Sequence, residues 1–192
     1  MEILRARKAD AQDKHFGALG RWYQAAAKAA PNDPQLEMLI GDIYEIRGRL
    51  DKAEEQYRKV LARTDLDPMT RAHIGNNLAF ILSTQRKNTK EAVELIDKAM
   101  VVYGPSSDLL DTRGVVYLAA DQPDKALADF REAVLIPSAM KWVHLAFAQS
   151  ALKDLEGARA SLKKAHDLDL KRHDLYDGEC SSYEKLAREL GF

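Results

Sequence analysis

The sequence predicts an all-α fold, a solenoid of antiparallel helix pairs finished at its C-terminal end by a capping helix. Three observations predict it. Apolar residues recur at spacings of 3, 4 and 7, which is a helical period. The same pattern then repeats along the chain. Between the periodic stretches lie clusters of Pro, Gly, Asn, Asp and Ser, the residues that end one helix and start the next.

The repeat is visible residue by residue. Gly41, Tyr44, Ala53, Tyr57 and Val60 align with Gly114, Tyr117, Ala126, Phe130 and Ala133, with the same offsets of 3, 9, 4 and 3. A third copy holds Ala79, Leu82, Ala92, Ile96 and Ala99. A fourth holds Trp142, Leu145, Ala146, Ala158, Leu162 and Ala165. A degenerate copy opens the chain with Tyr23, Ala26 and Pro31. Gly41, Ala79, Gly114 and Ala146 are small where a first helix must cross its partner closely. Ala53, Ala92, Ala126 and Ala158 are small on the second helix, and the larger residue four positions on fills the space beside them.

Taken in order, the predicted helices are 2–13 and 16–30, 34–47 and 51–63, 68–84 and 89–103, 107–120 and 123–135, then 139–152 and 155–168. Turns inside the pairs fall at Arg47-Gly48-Arg49, Arg86-Lys87-Asn88, Asp121-Gln122-Pro123 and Lys153-Asp154. Turns between pairs fall at Pro31-Asn32-Asp33, Asp65-Leu66-Asp67-Pro68, Gly104-Pro105-Ser106 and Pro137-Ser138. Asp, Asn and Ser there are placed to cap the helix that follows. Residues 173–192 break the pattern. Ser181 or Ser182 can start a short helix ending at Leu190, with Tyr183, Leu186 and Leu190 on one face. An array exposes an apolar end, so this helix is assigned as its cap; a detachable docking peptide is the alternative. Trp22 and Trp142 fall at core positions.

Composition excludes several functions. Basic residues number 29 and acidic ones 30, a formal net charge of −1, which disfavours nucleic acid as a partner. The first ten residues hold five charges and no apolar run, and no stretch approaches a membrane span. On that basis no membrane partner is expected and the location is read as cytoplasmic. Cys180 is the single cysteine, which excludes a disulfide framework. No phosphate-binding, nucleophile-elbow or zinc-protease motif occurs. His166 with Asp167 and Asp169 is the nearest approach to a metal cluster, and it reads as surface polarity. No catalytic residue, cofactor or metal is expected, and the chain is not read as an enzyme.

The 34-residue spacing, with Gly41-x2-Tyr44, Gly114-x2-Tyr117 and the A-x3-F-x2-A pattern of Ala126, Phe130 and Ala133, resembles the tetratricopeptide repeat. The match covers 34–170 and is weak over 1–33. The resemblance implies one right-handed superhelical domain over 1–192. Its parts are a degenerate repeat at 1–33, repeats at 34–67, 72–106, 107–138 and 139–172, and the cap at 173–192. Four extra residues precede the third repeat, so the groove need not be uniform.

The resemblance also implies that the first helix of each repeat lines a concave groove. The candidate peptide-binding residues are then Asn76, Asn77, Phe80, Asp111, Thr112, Val115, Val143, His144 and Phe147. Phe80, Val115, Val143 and Phe147 offer apolar contact, while Asn77, Thr112 and His144 offer hydrogen bonds. Asp42, Glu45, Asp108 and Asp111 add acid, which suggests a ligand with apolar anchors and some basic character. Chaperone-binding relatives grip a terminal carboxylate with Lys, Arg and two Asn. Here Met38 and Asp42 take the first two places, Asn77 alone matches, and Asp108 and Thr112 replace the later bases. Acid there repels a carboxylate, so that clamp is rejected.

The leading reading is a non-catalytic scaffold that binds a peptide or helix of a protein partner in the groove. A structural or self-associating segment of a longer array, joined through the N-terminal repeat, is the second. A regulatory segment of a larger enzyme is the third. The uncapped first repeat leaves open whether the chain is the C-terminal piece of a longer protein.

Overall fold

The computed structural model describes residues 32–85 and 88–192, together with 21, 22, 25, 26 and 28–30. Nine α-helices lie among the described residues from 32 onward. They are α1 (Pro34–Ile46), α2 (Leu50–Leu61), α3 (Pro68–Thr84), α4 (Thr89–Tyr103), α5 (Ser107–Ala119), α6 (Pro123–Ala133), α7 (Ala139–Ala151), α8 (Leu155–Asp167) and α9 (Asp177–Leu190). A 3-10 turn, Arg172–Asp174, precedes α9. Each expected helix from 34 to 168 is present, within about two residues at its ends. Residues 21, 22, 25, 26, 28 and 29 are helical, but the rest of the expected first repeat, and the self-association read from it, lies outside the described residues. So do Arg86 and Lys87 of one expected turn.

The helices start where side chains can satisfy exposed N–H groups. Asp33, Asp67, Asn88, Ser106, Ser138 and Asp154 each accept from a backbone N–H in the first turn of α1, α3, α4, α5, α7 and α8. Such caps contribute about 0.5–2 kcal/mol each. The turns inside pairs need a left-handed residue, supplied by Gly48 (φ 70°), Asp121 (58°) and Lys153 (67°). The four-residue insertion before the third pair becomes helix. It lengthens α3 to 17 residues, against 13 in α1, α5 and α7.

The core follows the repeat offsets. Ala53, Ala92, Ala126 and Ala158 are fully buried, as are Tyr57, Ile96, Phe130 and Leu162 four residues on, and Val60, Ala99, Ala133 and Ala165 three further. The close crossings are real. A Cβ added at Gly41 would stand 2.3 Å from Cε1 of Tyr57, and one at Gly114 would stand 2.4 Å from Cε1 of Phe130. Neighbouring pairs are also joined by charge, as where Arg58 on α2 binds Glu91 on α4 through two bonds of 2.6 and 2.9 Å. Trp142 packs at the core edge, with the Lys164 ammonium 4.1 Å from its ring centroid. Trp22, expected in the core, is 55% exposed.

Gly114→Ala therefore forces the Phe130 ring or the helix pair to shift. Overpacking of this kind costs about 1–3 kcal/mol. A fall of that size in urea-unfolding stability is expected, and an unchanged midpoint would contradict the repeat register.

Candidate functional site

The first helices α1, α3, α5 and α7 place one side chain after another on the inner face, and Tyr57 on α2 supplies its floor. Because Gly41 has no side chain, the Tyr57 ring passes beneath α1. Its hydroxyl then emerges between two acids, donating to Oδ1 of Asp42 at 2.6 Å and lying 3.0 Å from Oε2 of Glu45. Burial, followed by the charges of Glu45 and Asp42, holds this phenol far above its usual pKa, so it stays a donor. Asn77 on α3 joins the group, its amide donating to Asp42 and to the Tyr57 oxygen, each at 3.2 Å. Asn76 donates in turn to Oδ1 of Asn77.

The segment from Leu175 to Cys180 lies against this face. Tyr176, 131 residues away from Glu45 in sequence, donates its hydroxyl to Oε1 of Glu45 at 2.9 Å. Its ring rests against Phe80, with centroids 4.7 Å apart and a 54° tilt. Gly178 passes the end of α3, where an added Cβ would lie 3.5 Å from the Thr84 carbonyl oxygen. Glu179 reaches His144 on α7, Oε1 to Nε2 at 2.9 Å, while Nδ1 of His144 meets Oδ1 of Asp111 on α5 at 2.9 Å. The other Glu179 oxygen accepts from the Tyr176 backbone N–H at 3.0 Å. One carboxylate thus caps the start of α9 and binds the inner face.

His144 is 3% exposed. Burial alone would drive its proton off. Asp111, by charge and hydrogen bond, and Glu179 more than reverse that, and raise its pKa to about 10. At neutral pH it is an imidazolium that donates from both nitrogens.

The nine expected groove residues therefore take different parts. Phe80 and His144 touch the C-terminal segment, and Asp111 orients His144 from behind. Asn76 and Asn77 belong to the polar group under Tyr176. Thr112 and Val115 are buried. Val143 is fully buried in a cluster with Leu175, Cys180 and Leu186, with Phe147 at its edge. Sequence reasoning read Tyr57 only as a core residue of its repeat, and passed over Tyr176 and Glu179. A glutamate three residues after the residue preceding a helix is a readable start signal. It places α9 four residues earlier than Ser181, with Asp177 as the first helical residue. Beyond its first turn α9 covers the end of α8, with Leu186, Ala187 and Leu190 buried and Lys185, Arg188 and Glu189 exposed. His166 hydrogen-bonds the Tyr183 hydroxyl at 2.7 Å. A second depression lies off this face. Leu61, Pro68, Ala72, Gly75 and Val101 line it, at the extra turn of α3.

Residues 38–64 match the family profile described as Tetratricopeptide repeat. A thermophilic TPR protein of Thermus thermophilus superposes with a TM-score of 0.66 at 22% identity, over 91% of this chain and 94% of that one. The chain folds as a tetratricopeptide-repeat solenoid. BtubC of P. vanneervenii (TM-score 0.62, 23% identity, 87% of this chain and 77% of that one) shares this fold. MamA of Desulfovibrio magneticus RS-1 does too (TM-score 0.61, 18% identity, 88% of this chain and 94% of that one). No curated protein matches the sequence significantly. Tetratricopeptide-repeat solenoids are in general non-catalytic protein–protein interaction scaffolds that use extended concave surfaces. Among the described residues no helix is long and apolar enough to cross a membrane.

The His144 bridge gives a signed pH dependence. Its folded pKa of about 10 stands above the ordinary 6.5, so its stabilisation is complete below pH 6.5 and is lost as pH rises toward 10. His144→Gln leaves the buried Glu179 and the half-buried Asp111 without their shared cation, a loss of about 3 kcal/mol. The stability gap between wild type and variant, read by urea unfolding, is expected to be widest below pH 6.5 and to narrow toward pH 10. A gap that does not vary with pH would contradict the bridge.

Proposed function

We propose that this chain is an interaction scaffold whose inner face takes a peptide or short helix from a protein partner. One observation carries the reading. The face already holds polypeptide, with side chains of α1, α3 and α7 gripping the segment around Tyr176 and Glu179. That grip combines an aromatic platform, a buried acceptor and a buried cation, the mixture of apolar contact and a few placed polar groups that fixes a ligand's orientation.

The acids that suggested a basic ligand are engaged within the chain. Asp42 accepts from Tyr57 and Asn77, Glu45 accepts from Tyr176 and lies 3.0 Å from the Tyr57 hydroxyl, and Asp111 accepts from His144. Asp108 pairs with Lys141 at 2.7 Å. A ligand on this face therefore meets acceptors already turned toward donors, and one cation at His144, rather than an open acidic track.

The test is a random-peptide library selected against the Tyr176→Ala/Glu179→Ala chain, in which the resident contacts are removed and the apolar half of α9 is kept. Selected peptides are expected to shift the amide resonances of Asn77, Phe80 and His144. They should also lose about tenfold or more in affinity when Asn77→Ala and Phe80→Ala are added. Binding that leaves those resonances and those substitutions without effect would refute the inner-face site.

A further inference from the structure

This inference rests on the inner face being a peptide site, and it names the ligand. We propose that the face selects a segment with a tyrosine and, three residues later, a glutamate, flanked by apolar residues and presented as the first turn of a helix. Residues 175–180 are the chain's own copy of that ligand, which an incoming partner displaces.

Each part of the motif has its receptor. The phenol meets a carboxylate oxygen of Glu45, a residue 2% exposed whose other oxygen faces the Tyr57 hydroxyl. That site wants a donor. A phosphotyrosine there would set a dianion against Glu45 and Asp42 and be rejected. The ring takes Phe80 as its platform. The carboxylate meets the His144 imidazolium, which Asp111 holds in place from the opposite side. Leu175 before the tyrosine and Cys180 after the glutamate are buried with Val143 and Leu162, so apolar neighbours belong to the motif.

The spacing is set by the ligand itself. Glu179 accepts from the Tyr176 N–H at 3.0 Å, so forming the first helical turn points ring and carboxylate at their two receptors together. The receptors come from different helix pairs, Glu45 and Phe80 on α1 and α3, His144 on α7. An extended peptide with the same residues would not present them at once. Between Tyr176 and Glu179 the chain offers Gly178 to the end of α3, where a small residue fits.

A displacing ligand has to replace Leu175 and Cys180 with apolar residues of its own, because both are buried with Val143 and Leu162. Leu186, Ala187 and Leu190, in the second half of α9, stay on the apolar end of the array while the first turn is exchanged. If the first turn opens, the Tyr57 hydroxyl, 3.0 Å from Glu45, can turn its proton to it while Asn77 still donates to Asp42, and His144 keeps Asp111. A tethered segment acts at an effective concentration in the millimolar range, so the intact chain excludes a free ligand of ordinary affinity.

The experiment uses a fluorescein-labelled peptide of residues 172–183, kept reduced, and fluorescence anisotropy. The full chain is compared with its Tyr176→Ala/Glu179→Ala variant, both verified as folded by circular dichroism and a cooperative melt. The peptide is expected to bind the variant about tenfold or more tighter than the wild type. The same peptide with alanine at the tyrosine and glutamate positions, or with phosphotyrosine, should lose that binding. Tyr176→Phe, which keeps the ring and the helix start, is the second variant and should give a smaller gain in the same direction. The inference is overturned if the folded variants bind the peptide no better than wild type, or if alanine or phosphotyrosine peptides bind equally well. Library peptides that reach Asn77, Phe80 and His144 without a Tyr-x-x-Glu motif would overturn this inference and leave the inner-face site standing. No peptide on that face at all would overturn both.

Discussion

At Gly41 and Gly114 the first helix of a pair runs so close to the second that an added Cβ would fall 2.3 and 2.4 Å from the ring of Tyr57 or Phe130. Ala79 and Ala146 hold the same place in the other described pairs and are fully buried. This close approach lets a large side chain lie across the crossing and fill the pair, so each repeat has its core residue in the same position. It also brings that residue within reach of the inner face. Where the residue is Phe130, Ile96 or Leu162, only packing results. Where it is Tyr57, the same geometry delivers a hydroxyl among Asp42, Glu45 and Asn77. A core position of the repeat thereby becomes the floor of a polar site.

The inner face inherits its character from this. Its buried carboxylates are tolerable because each has a donor, since a buried charge without one is strongly destabilising. Two donors come from the C-terminal segment or face it, Tyr176 toward Glu45 and His144 toward Glu179. The end of the chain therefore has two tasks along one helix. Its far half covers the apolar end of the solenoid, and its first turn closes the inner face. Glu179 links them, holding the helix start with one oxygen and His144 with the other.

The helices were legible because every signal for them is local. Asp33, Asp67, Asn88, Ser106, Ser138 and Asp154 cap where they were expected to, and the repeat offsets placed the alanines of the second helices in the core. The four extra residues of the third repeat were legible too, since the expected helix at 68–84 already took them in, and Pro68 with the Asp67 cap starts α3 there. The site was legible only in part. Resemblance to the repeat pointed to Asn77, Phe80 and His144 as residues of one inner face. It could not say that Tyr176 would cross 131 residues of sequence to reach Glu45, because no local pattern encodes a contact between distant segments. Nor could it distinguish acids awaiting a basic ligand from acids satisfied by the chain's own hydroxyl, amide and imidazolium groups.

The central claim is that the first turn of α9 occupies the inner face of the folded chain. It is tested most directly by nuclear Overhauser spectroscopy on protein with protonated Tyr and Phe rings in a deuterated background. Ring centroids 4.7 Å apart predict a Tyr176–Phe80 ring-to-ring cross-peak, one that Phe80→Leu removes. A folded chain with no such cross-peak, and with Tyr176 ring shifts of an exposed tyrosine, would contradict it.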